Sequence, residues 1–215
     1  MLTKMLLVRH GQTLWNHIAR YQGHTDIDLS DTGRNQANLL SLRLATVSLQ
    51  AVYASDLKRA LDTARIIAEP HGLDVQALPQ LREINFGAWE GLTFQEIKAR
   101  YPDLTNNWHA SPGSVRIPDG ETFQELMERA YSTVTDLAKS HDPGTVAVVT
   151  HGGAIRSIIC ALLGIDLNNV FRIRQDNAAL NIIDFYDGYG ILNLLNDTHH
   201  LETERGSGPN SVFNK

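Results

Sequence analysis

The sequence predicts an α/β fold of three layers, in which a mostly parallel sheet is flanked by helices. Apolar runs of strand length alternate with segments of helical period along the chain. Residues that commonly cap helices stand just after several of these runs. Hydrophobic residues make up 42% of the 215 residues and charged residues 20%, which is the composition of a chain that buries a sizeable core.

The first half of the chain contains three apolar runs short enough to be strands. They are Lys4–Val8, Ala51–Ala54 and Asp74–Leu78. Ser30 is the predicted N-cap of a helix that continues to about Val47, and Ser55 is the predicted N-cap of a helix from Asp56 to about Ala68. A serine hydroxyl suits these positions because it accepts a hydrogen bond from a free amide of the first helical turn.

Residues 79–118 interrupt this alternation of strands and helices. We expect them to form a lid-like excursion over the active site, whose residues are identified below. The segment contains a capping box from Thr93 to Glu96, which predicts a short helix, and a loop rich in Pro and Gly at 111–118. A second capping box, Thr122 to Glu125, begins the helix with the clearest periodicity in the chain. Its apolar positions share one helical face: Phe123, Leu126, Met127, Ala130, Val134, Leu137 and Ala138.

The last third predicts a buried strand, a helix directly behind it and a hairpin. The strand is Gly144–Val149 and the helix is Gly152–Leu163. Asp187 and Gly188 form the turn between strands at 181–186 and 191–195. We expect residues 1–201 to form a single domain, and the polar tail 202–215 to be disordered.

The composition excludes several classes of protein. Nineteen Lys and Arg against 24 Asp and Glu give a net charge of −5, which argues against nucleic-acid binding. No apolar run is long enough for a membrane span or a secretory signal, so we expect a cytoplasmic protein without a membrane partner. Cys160 is the only cysteine, which excludes an internal disulfide and a cysteine-based zinc site.

Two segments carry the same pattern at the end of a predicted strand. One strand runs directly into His10 and Gly11, and another runs into His151 and Gly152. In a parallel α/β sheet, ligands bind at the carboxyl ends of the strands. A glycine after each histidine allows a sharp turn and brings backbone amides close to a ligand. The pattern predicts that both imidazoles reach one pocket, although a single strand-end histidine is commonly only structural.

The neighbours of these histidines favour an anion over a metal ion. Neither histidine has a second ligand at metal spacing, and Arg9 beside His10 is a poor neighbour for a dication. A guanidinium binds phosphate through two hydrogen bonds. Arg59, in the first turns of a helix after another strand, is expected on the same edge of the sheet, where it would complete a phosphate clamp. We therefore predict no metal and no cofactor.

Other phosphate chemistries fit the sequence less well. Cysteine phosphatases need an arginine six residues after the cysteine, but Asp166 occupies that position after Cys160. Asp26 and Asp28 have the spacing of haloacid dehalogenase phosphatases, but a polar segment precedes them where that motif needs an apolar strand. The glycine-rich loop of nucleotide triphosphatases is missing from the sequence.

Taken together, five segments resemble the histidine phosphatase superfamily, the phosphoglycerate mutase-like proteins. They are LVRHGQTLWN (7–16), DLSDTG (28–33), SDLKRALDTA (55–64), LREINFGAWEG (81–91) and THGG (150–153). They follow the order and spacing of the family, and the resemblance extends to about Leu201. It implies a phosphoglycerate mutase-like fold.

The resemblance also implies a role for individual residues. His10 would be the nucleophile that forms a phosphohistidine, and Arg9, Arg59 and His151 would surround the phosphoryl oxygens. Glu83 would be the general acid that protonates the leaving oxygen. The remaining residues match positions that contact phosphate or substrate in the family: Asn16, Gln22, Gly23 and Gly152. Asn16 could instead be an ordinary residue of a helix surface.

The expected partner is a small phosphate monoester. Mutases of the family carry a longer chain with additional arginines after the acid, whereas 84–118 supplies only Lys98, Arg100 and Arg116. Phe86, with Trp89 and Trp108, suggests an alcohol group of lower charge. The resemblance to a short branch favours α-ribazole phosphate as substrate. Metal-independent phosphoserine phosphatase, phosphoglycerate mutase and an inactive binding protein remain alternatives. The C-terminal hairpin could pair across a homodimer.

Overall fold

The architecture comes from a computed structural model that describes residues 2–187 and 189–204. Six strands form one mixed sheet in the order β3-β2-β4-β1-β5-β6. The strands are β1 (Leu2–Arg9), β2 (Ala51–Ala54), β3 (Val75–Ala77), β4 (Gly144–Thr150), β5 (Leu180–Tyr186) and β6 (Tyr189–Asp197). The first four are parallel, while β5 and β6 are antiparallel to their neighbours, so the prediction of a mostly parallel sheet is confirmed.

Seven α-helices connect and cover these strands in the described part of the chain. They are α1 (Leu14–His17), α2 (Asp31–Leu44), α3 (Lys58–Ala68), α4 (Phe94–Arg100), α5 (Pro102–Ala110), α6 (Phe123–Ser140) and α7 (Gly152–Leu163). Short 3₁₀ turns fill several of the connections, including two that flank Glu83 at Pro79–Leu81 and Gly87–Trp89.

The three layers follow from the alternation of side chains along the central strands. Met5 and Leu7 of β1 point into a core shared with α6 and α7, while Leu6 and Val8 point into a core shared with α2 and α3. β4 alternates in the same way. Because successive strand residues face opposite sides of a sheet, a strand buried on both faces is apolar throughout.

The helix caps agree with the sequence at three positions and differ at one. Ser30, Thr93 and Thr122 each accept a hydrogen bond from an amide of the first turn. The prediction for Ser55 was wrong, because α3 begins at Lys58 with Leu57 as its N-cap. The amide of Ser55 still donates to the Val149 carbonyl of β4, so the chain is held in the sheet beyond β2 and the helix begins later.

Several predicted boundaries also shift. α2 ends at Leu44, three residues before the predicted end. The hairpin strands β5 and β6 are longer than predicted, and of the predicted turn, Gly188 lies outside the described residues. Of the tail that was expected to be disordered, 202–204 belong to a 3₁₀ helix over His199–Glu204, and 205–215 lie outside the described residues.

Candidate active site

The two histidines of the His-Gly turns meet at the centre of the sheet. β1 and β4 are neighbours, with Arg9 opposite Thr150, so the next residues, His10 and His151, leave the sheet side by side. Their ring centroids are 5.1 Å apart, and both side chains are buried. The parallel pairing therefore brings together two side chains that are 141 residues apart in sequence.

One ring nitrogen of His10 forms a hydrogen bond with the backbone. Nδ1 lies 2.6 Å from the carbonyl oxygen of Gly11, and because a carbonyl only accepts, Nδ1 is the nitrogen that carries the proton. Nε2 then keeps its lone pair. Burial lowers the pKa of His10 well below its usual 6.5, and the positive charges of Arg59 and Arg9 lower it further. His10 is therefore a neutral imidazole at pH 7, the form that can act as a nucleophile.

Arg59 is fully buried and is oriented by two backbone carbonyls. Its Nη1 donates to the oxygen of Thr25 at 2.9 Å, and its Nη2 donates to the oxygen of Gly23 at 2.7 Å. Burial lowers the pKa of Arg59 to about 10, so the guanidinium remains charged at pH 7. The third nitrogen, Nε, has no hydrogen-bond partner among the described residues.

Arg9 is held on the other side of the histidines. Its Nη1 donates to the carbonyl of Gln175 at 2.6 Å, and the Gln175 amide is bound in turn to Asn181 through two hydrogen bonds. Gly152 lies against this guanidinium, since a Cβ at that position would be 3.3 Å from the Arg9 Nε. Burial lowers the pKa of Arg9 to about 10.

Four buried nitrogen atoms around His10 lack a hydrogen-bond partner within residues 2–187 and 189–204. They are Nε of Arg9, Nε of Arg59, and both Nδ1 and Nε2 of His151. Buried polar atoms without partners are uncommon in proteins, and each one raises the question of what it binds. A compact anion with several oxygen atoms can accept from the two arginine Nε atoms and from whichever His151 nitrogen carries a proton. The arrangement is suited to phosphate.

Glu83 lies at the N-terminus of α7. Its carboxylate accepts from the amides of Gly153 at 3.0 Å and Ala154 at 3.2 Å, and from its neighbour Ile84 at 3.0 Å. The amides of Gly153 and Ala154 belong to the first turn of the helix, where donors have no partner within the helix. The contact places a carboxyl group directly beside Gly153, two residues after His151.

An ion pair braces the loop that carries Glu83. Arg129 of α6 donates to both carboxylate oxygens of Glu121 and to the Glu83 carbonyl at 2.8 Å. The Asn85 amide donates to Glu121 at 2.8 Å. Burial alone would raise the pKa of Glu121, but the hydrogen bonds from Arg129 and Asn85 lower it overall. The Glu121–Arg129 pair therefore fixes the backbone on both sides of Glu83.

The other predicted contact residues line the same cavity. The Oδ1 atom of Asn16 accepts from the amide of Thr13 at 3.1 Å and from Asn177 at 3.2 Å, which leaves the Asn16 Nδ2 as a donor. Gln22 is buried, and its Oε1 accepts from the Thr13 hydroxyl at 2.9 Å. Gly23 and Gly152 also line the cavity.

The cavity has a volume of about 260 Å³ and combines cationic and aromatic walls. Phe86 and Trp108 line it as the sequence suggested, whereas Trp89 is buried behind Trp108 at a ring distance of 5.2 Å. Sequence reasoning missed six lining side chains: Ala19, Arg20, Tyr21, Phe123, Arg156 and Phe171. Helical spacing could have located Arg156, because it is four residues after Gly152 on α7.

Glu90 holds the loop that orients Arg59, a contribution that sequence reasoning also missed. Its carboxylate accepts from the amides of His24 at 2.7 Å and Thr25 at 2.9 Å. Gly23, in the same loop, has φ +55°, and a Cβ there would lie 2.0 Å from the Glu90 Oε1. A side chain at position 23 must therefore displace Glu90.

We expect Gly23→Ala to lower kcat/KM at least tenfold, because displacing Glu90 moves the carbonyls that orient Arg59. Gly72→Ala is the matched control: Gly72 has φ +63°, but a methyl group at that position would meet no atom within 4 Å. Both variants incur the same backbone strain, about 1–2 kcal/mol. Steady-state kinetics measures the loss of activity, and urea denaturation measures the loss of stability, so the two effects can be separated. Equal activity of the two variants would contradict the role given to this loop.

The two buried histidines also predict a pH dependence of stability. Their pKa values in the folded protein are lowered well below 6.5, so as the pH falls below 6.5 the unfolded chain binds protons that the folded protein does not. The free energy of unfolding should therefore fall by about 1.4 kcal/mol per pH unit for each histidine. Urea denaturation between pH 7 and 5 should give a shallower dependence for the double variant His10→Asn, His151→Asn, and identical slopes would refute the prediction.

Residues outside the cavity show no comparable arrangement in the described ranges. Cys160 is buried in α7, and burial raises the pKa of its thiol to about 11. His200 contacts Arg43 of α2, and neither it nor His199 lines the cavity. No group of three or more His, Cys, Asp or Glu among the described residues could hold a metal ion. None of the helices described is long and apolar enough to cross a membrane.

The sheet, the paired histidines and the arginines define a phosphoryl-transfer enzyme of the α/β class. The model of the histidine phosphatase superfamily (branch 1) matches residues 5–198, and the chain belongs to this family. It is 36% identical over 200 residues to phosphoserine phosphatase 1 of Hydrogenobacter thermophilus, over 93% of this chain and 95% of the relative. It is 34% identical to a metal-independent phosphoserine phosphatase of Arabidopsis thaliana, over 94% of this chain and 84% of the relative.

Solved structures agree with this assignment. YhfR of Bacillus stearothermophilus superposes with a TM-score of 0.88 at 32% identity, over 93% of this chain and 99% of the other. A phosphoserine phosphatase mutant of Entamoeba histolytica in complex with phosphoserine gives 0.84 at 31% identity, with coverages of 93% and 99%. An Escherichia coli protein assigned as an alpha-ribazole-5′-P phosphatase gives 0.83 at 28%, with coverages of 91% and 97%. The protein is a phosphoric monoester hydrolase with a phosphoglycerate mutase-like fold.

Proposed function

We propose that this phosphatase hydrolyses a small phosphate monoester in two steps, through a phosphohistidine on His10 and without a metal ion. The observation that carries the proposal is the ring of unpartnered buried nitrogens on Arg9, Arg59 and His151 around a neutral His10. These donors can bind the phosphoryl oxygens and stabilise the charge that they carry in the transition state.

In the first step, Nε2 of His10 attacks phosphorus and the bond to the ester oxygen breaks. Glu83 in its protonated form donates its proton to that oxygen, so the alcohol leaves as a neutral molecule. In the second step, Glu83 takes a proton from water, the water oxygen attacks phosphorus, and the bond to Nε2 breaks. Phosphate then leaves, Nε2 of His10 regains its lone pair, and Glu83 is again in the protonated form that the first step needs.

His151 is proposed to change its protonation state when the ester binds. Burial and the charges of Arg59 and Arg9 lower the pKa of His151 well below 6.5, so it is neutral before substrate arrives. A dianion in contact with the ring favours the imidazolium form. The cationic ring would then donate to a phosphoryl oxygen alongside the two arginines.

Two substrates are candidates. Phosphoserine is favoured by the phosphoserine phosphatases among the relatives and structural neighbours. The resemblance of the sequence to a short branch, and the Escherichia coli structural neighbour, favour α-ribazole phosphate. Phosphoglycerate mutase activity and a binding function without turnover are the alternatives to hydrolysis.

Turnover in the presence of a chelator tests the proposal. Hydrolysis of p-nitrophenyl phosphate should persist at full rate in EDTA, and its loss would contradict the metal-independent route. Initial rates with phosphoserine, α-ribazole phosphate and 3-phosphoglycerate then rank the substrates. Conversion of 3-phosphoglycerate to its isomer at a rate above hydrolysis would instead support a mutase, and no turnover of any ester would support a binding protein.

A further inference from the structure

Arg156 is a cation that lines the cavity, but the proposed two-step hydrolysis gives it no role. Its Nε donates to the Ile173 carbonyl at 2.8 Å, which fixes the side chain against the wall. Within the described residues, neither Nη1 nor Nη2 has a hydrogen-bond partner, and no carboxylate lies within ion-pair distance of the guanidinium. Two parallel donors therefore remain available to a ligand.

Arg20 lines the same cavity but differs in this respect. Its Nη1 donates to the carbonyl of Gly91 and is paired with the Glu96 carboxylate at 3.0 Å. Arg156 interacts electrostatically with Arg9, whose pKa its charge lowers after burial, and with the carboxylates of Glu83 and Asp176. Because Arg9 and Arg59 share the charge of Glu83 with Arg156, the cavity keeps an excess of positive charge that a second anion at Arg156 would reduce.

Helix α7 sets the distance between the phosphate position beside Arg9 and a second anion position beside Arg156. Gly152, against Arg9, and Arg156 are four residues apart on α7, which corresponds to about 6 Å along the axis. Long helical side chains lean toward the N-terminus, which shortens this separation. An ester in which two or three bonds of carbon chain join a phosphate to a carboxylate spans this distance.

We propose that Arg156 binds a carboxylate on the alcohol part of the substrate, and thereby selects O-phosphorylated hydroxy acids and amino acids over uncharged esters. The proposal rests on the proposed function of the cavity. A guanidinium with two free Nη groups binds a carboxylate through two parallel hydrogen bonds. This proposal differs from the expectation from the sequence, which was an alcohol group of lower charge.

Phosphoserine and phosphoethanolamine provide the test, because they differ only in the carboxylate. For Arg156→Gln we expect the ratio of kcat/KM for phosphoserine to that for phosphoethanolamine to fall 10- to 100-fold, the effect of losing a charged hydrogen-bond pair. Arg156→Lys should restore part of the ratio. Arg20→Gln, the matched control from the same cavity, should change it less than threefold. A ratio unchanged within threefold in Arg156→Gln would overturn the proposal.

A binding measurement separates this inference from the phosphohistidine mechanism. With His10→Ala in both proteins, calorimetry gives the Kd of each ester with and without Arg156→Gln. The preference for phosphoserine should again fall at least tenfold, whether or not the enzyme turns these esters over. Failure of hydrolysis with an intact binding preference would count against the mechanism alone, and equal weakening for both esters would count against Arg156 as the carboxylate site.

Discussion

His10→Ala is expected to lower kcat for p-nitrophenyl phosphate by at least about 10⁴-fold, the largest effect of any single substitution in this protein. The variant keeps the arginines and His151, so the ester can still bind, but no nucleophile remains to take the phosphoryl group. Removing a buried imidazole from between two cations should not unfold the protein, because burial and those charges already oppose its protonation.

The control for this variant is His17→Ala. His17 is exposed in the last turn of α1 and is not among the residues that line the cavity. Its activity should stay within twofold of the wild type, and circular dichroism should give matching spectra for both variants. A His10→Ala protein that is folded and retains more than about 1% of the wild-type rate would exclude His10 as the nucleophile.

Glu83→Gln is expected to act according to the leaving group. An alkoxide leaves poorly without a proton, so hydrolysis of phosphoserine should fall about 10²- to 10⁴-fold. p-Nitrophenolate leaves without protonation, so the loss with p-nitrophenyl phosphate should be at least tenfold smaller. Glutamine keeps the shape of the side chain, and its carbonyl can still accept from one of the two amides, Gly153 or Ala154, that now bind separate carboxylate oxygens.

Glu90→Gln distinguishes proton transfer from positioning. Glu90 acts on the site through the loop that orients Arg59, so its replacement should lower activity with both esters by a similar factor. Measuring kcat/KM for the two esters in both variants gives the comparison. If Glu83→Gln also lowers both activities equally, Glu83 is a positioning residue and the general acid lies elsewhere.

Local patterns were sufficient to predict most of the fold. The central strands are apolar on both faces, which marks them as buried, and Thr93 and Thr122 carry capping boxes that the structure confirms. The prediction failed at Ser55, where hydrogen bonding across the sheet decides the local conformation. Such competition depends on a strand that is distant in sequence, and it cannot be read from the helix alone.

The site, too, has residues that local patterns predict and residues that only the tertiary structure reveals. His10 and His151 could be placed together because each ends a predicted strand, and parallel strands end at one edge of a sheet. Glu90 and the Glu121–Arg129 pair act through loops whose paths are set by tertiary contacts. Arg156 was available from helical spacing, but only the structure shows that its guanidinium faces the cavity without a carboxylate partner among the described residues.

The stereochemistry at phosphorus tests the central claim most directly. A phosphorothioate monoester made chiral at phosphorus with one heavy oxygen isotope can be hydrolysed in water enriched in another, and the configuration of the thiophosphate product determined. Two successive in-line displacements, first by His10 and then by water, predict overall retention of configuration. Inversion would mean a single direct displacement, and would contradict the phosphohistidine mechanism.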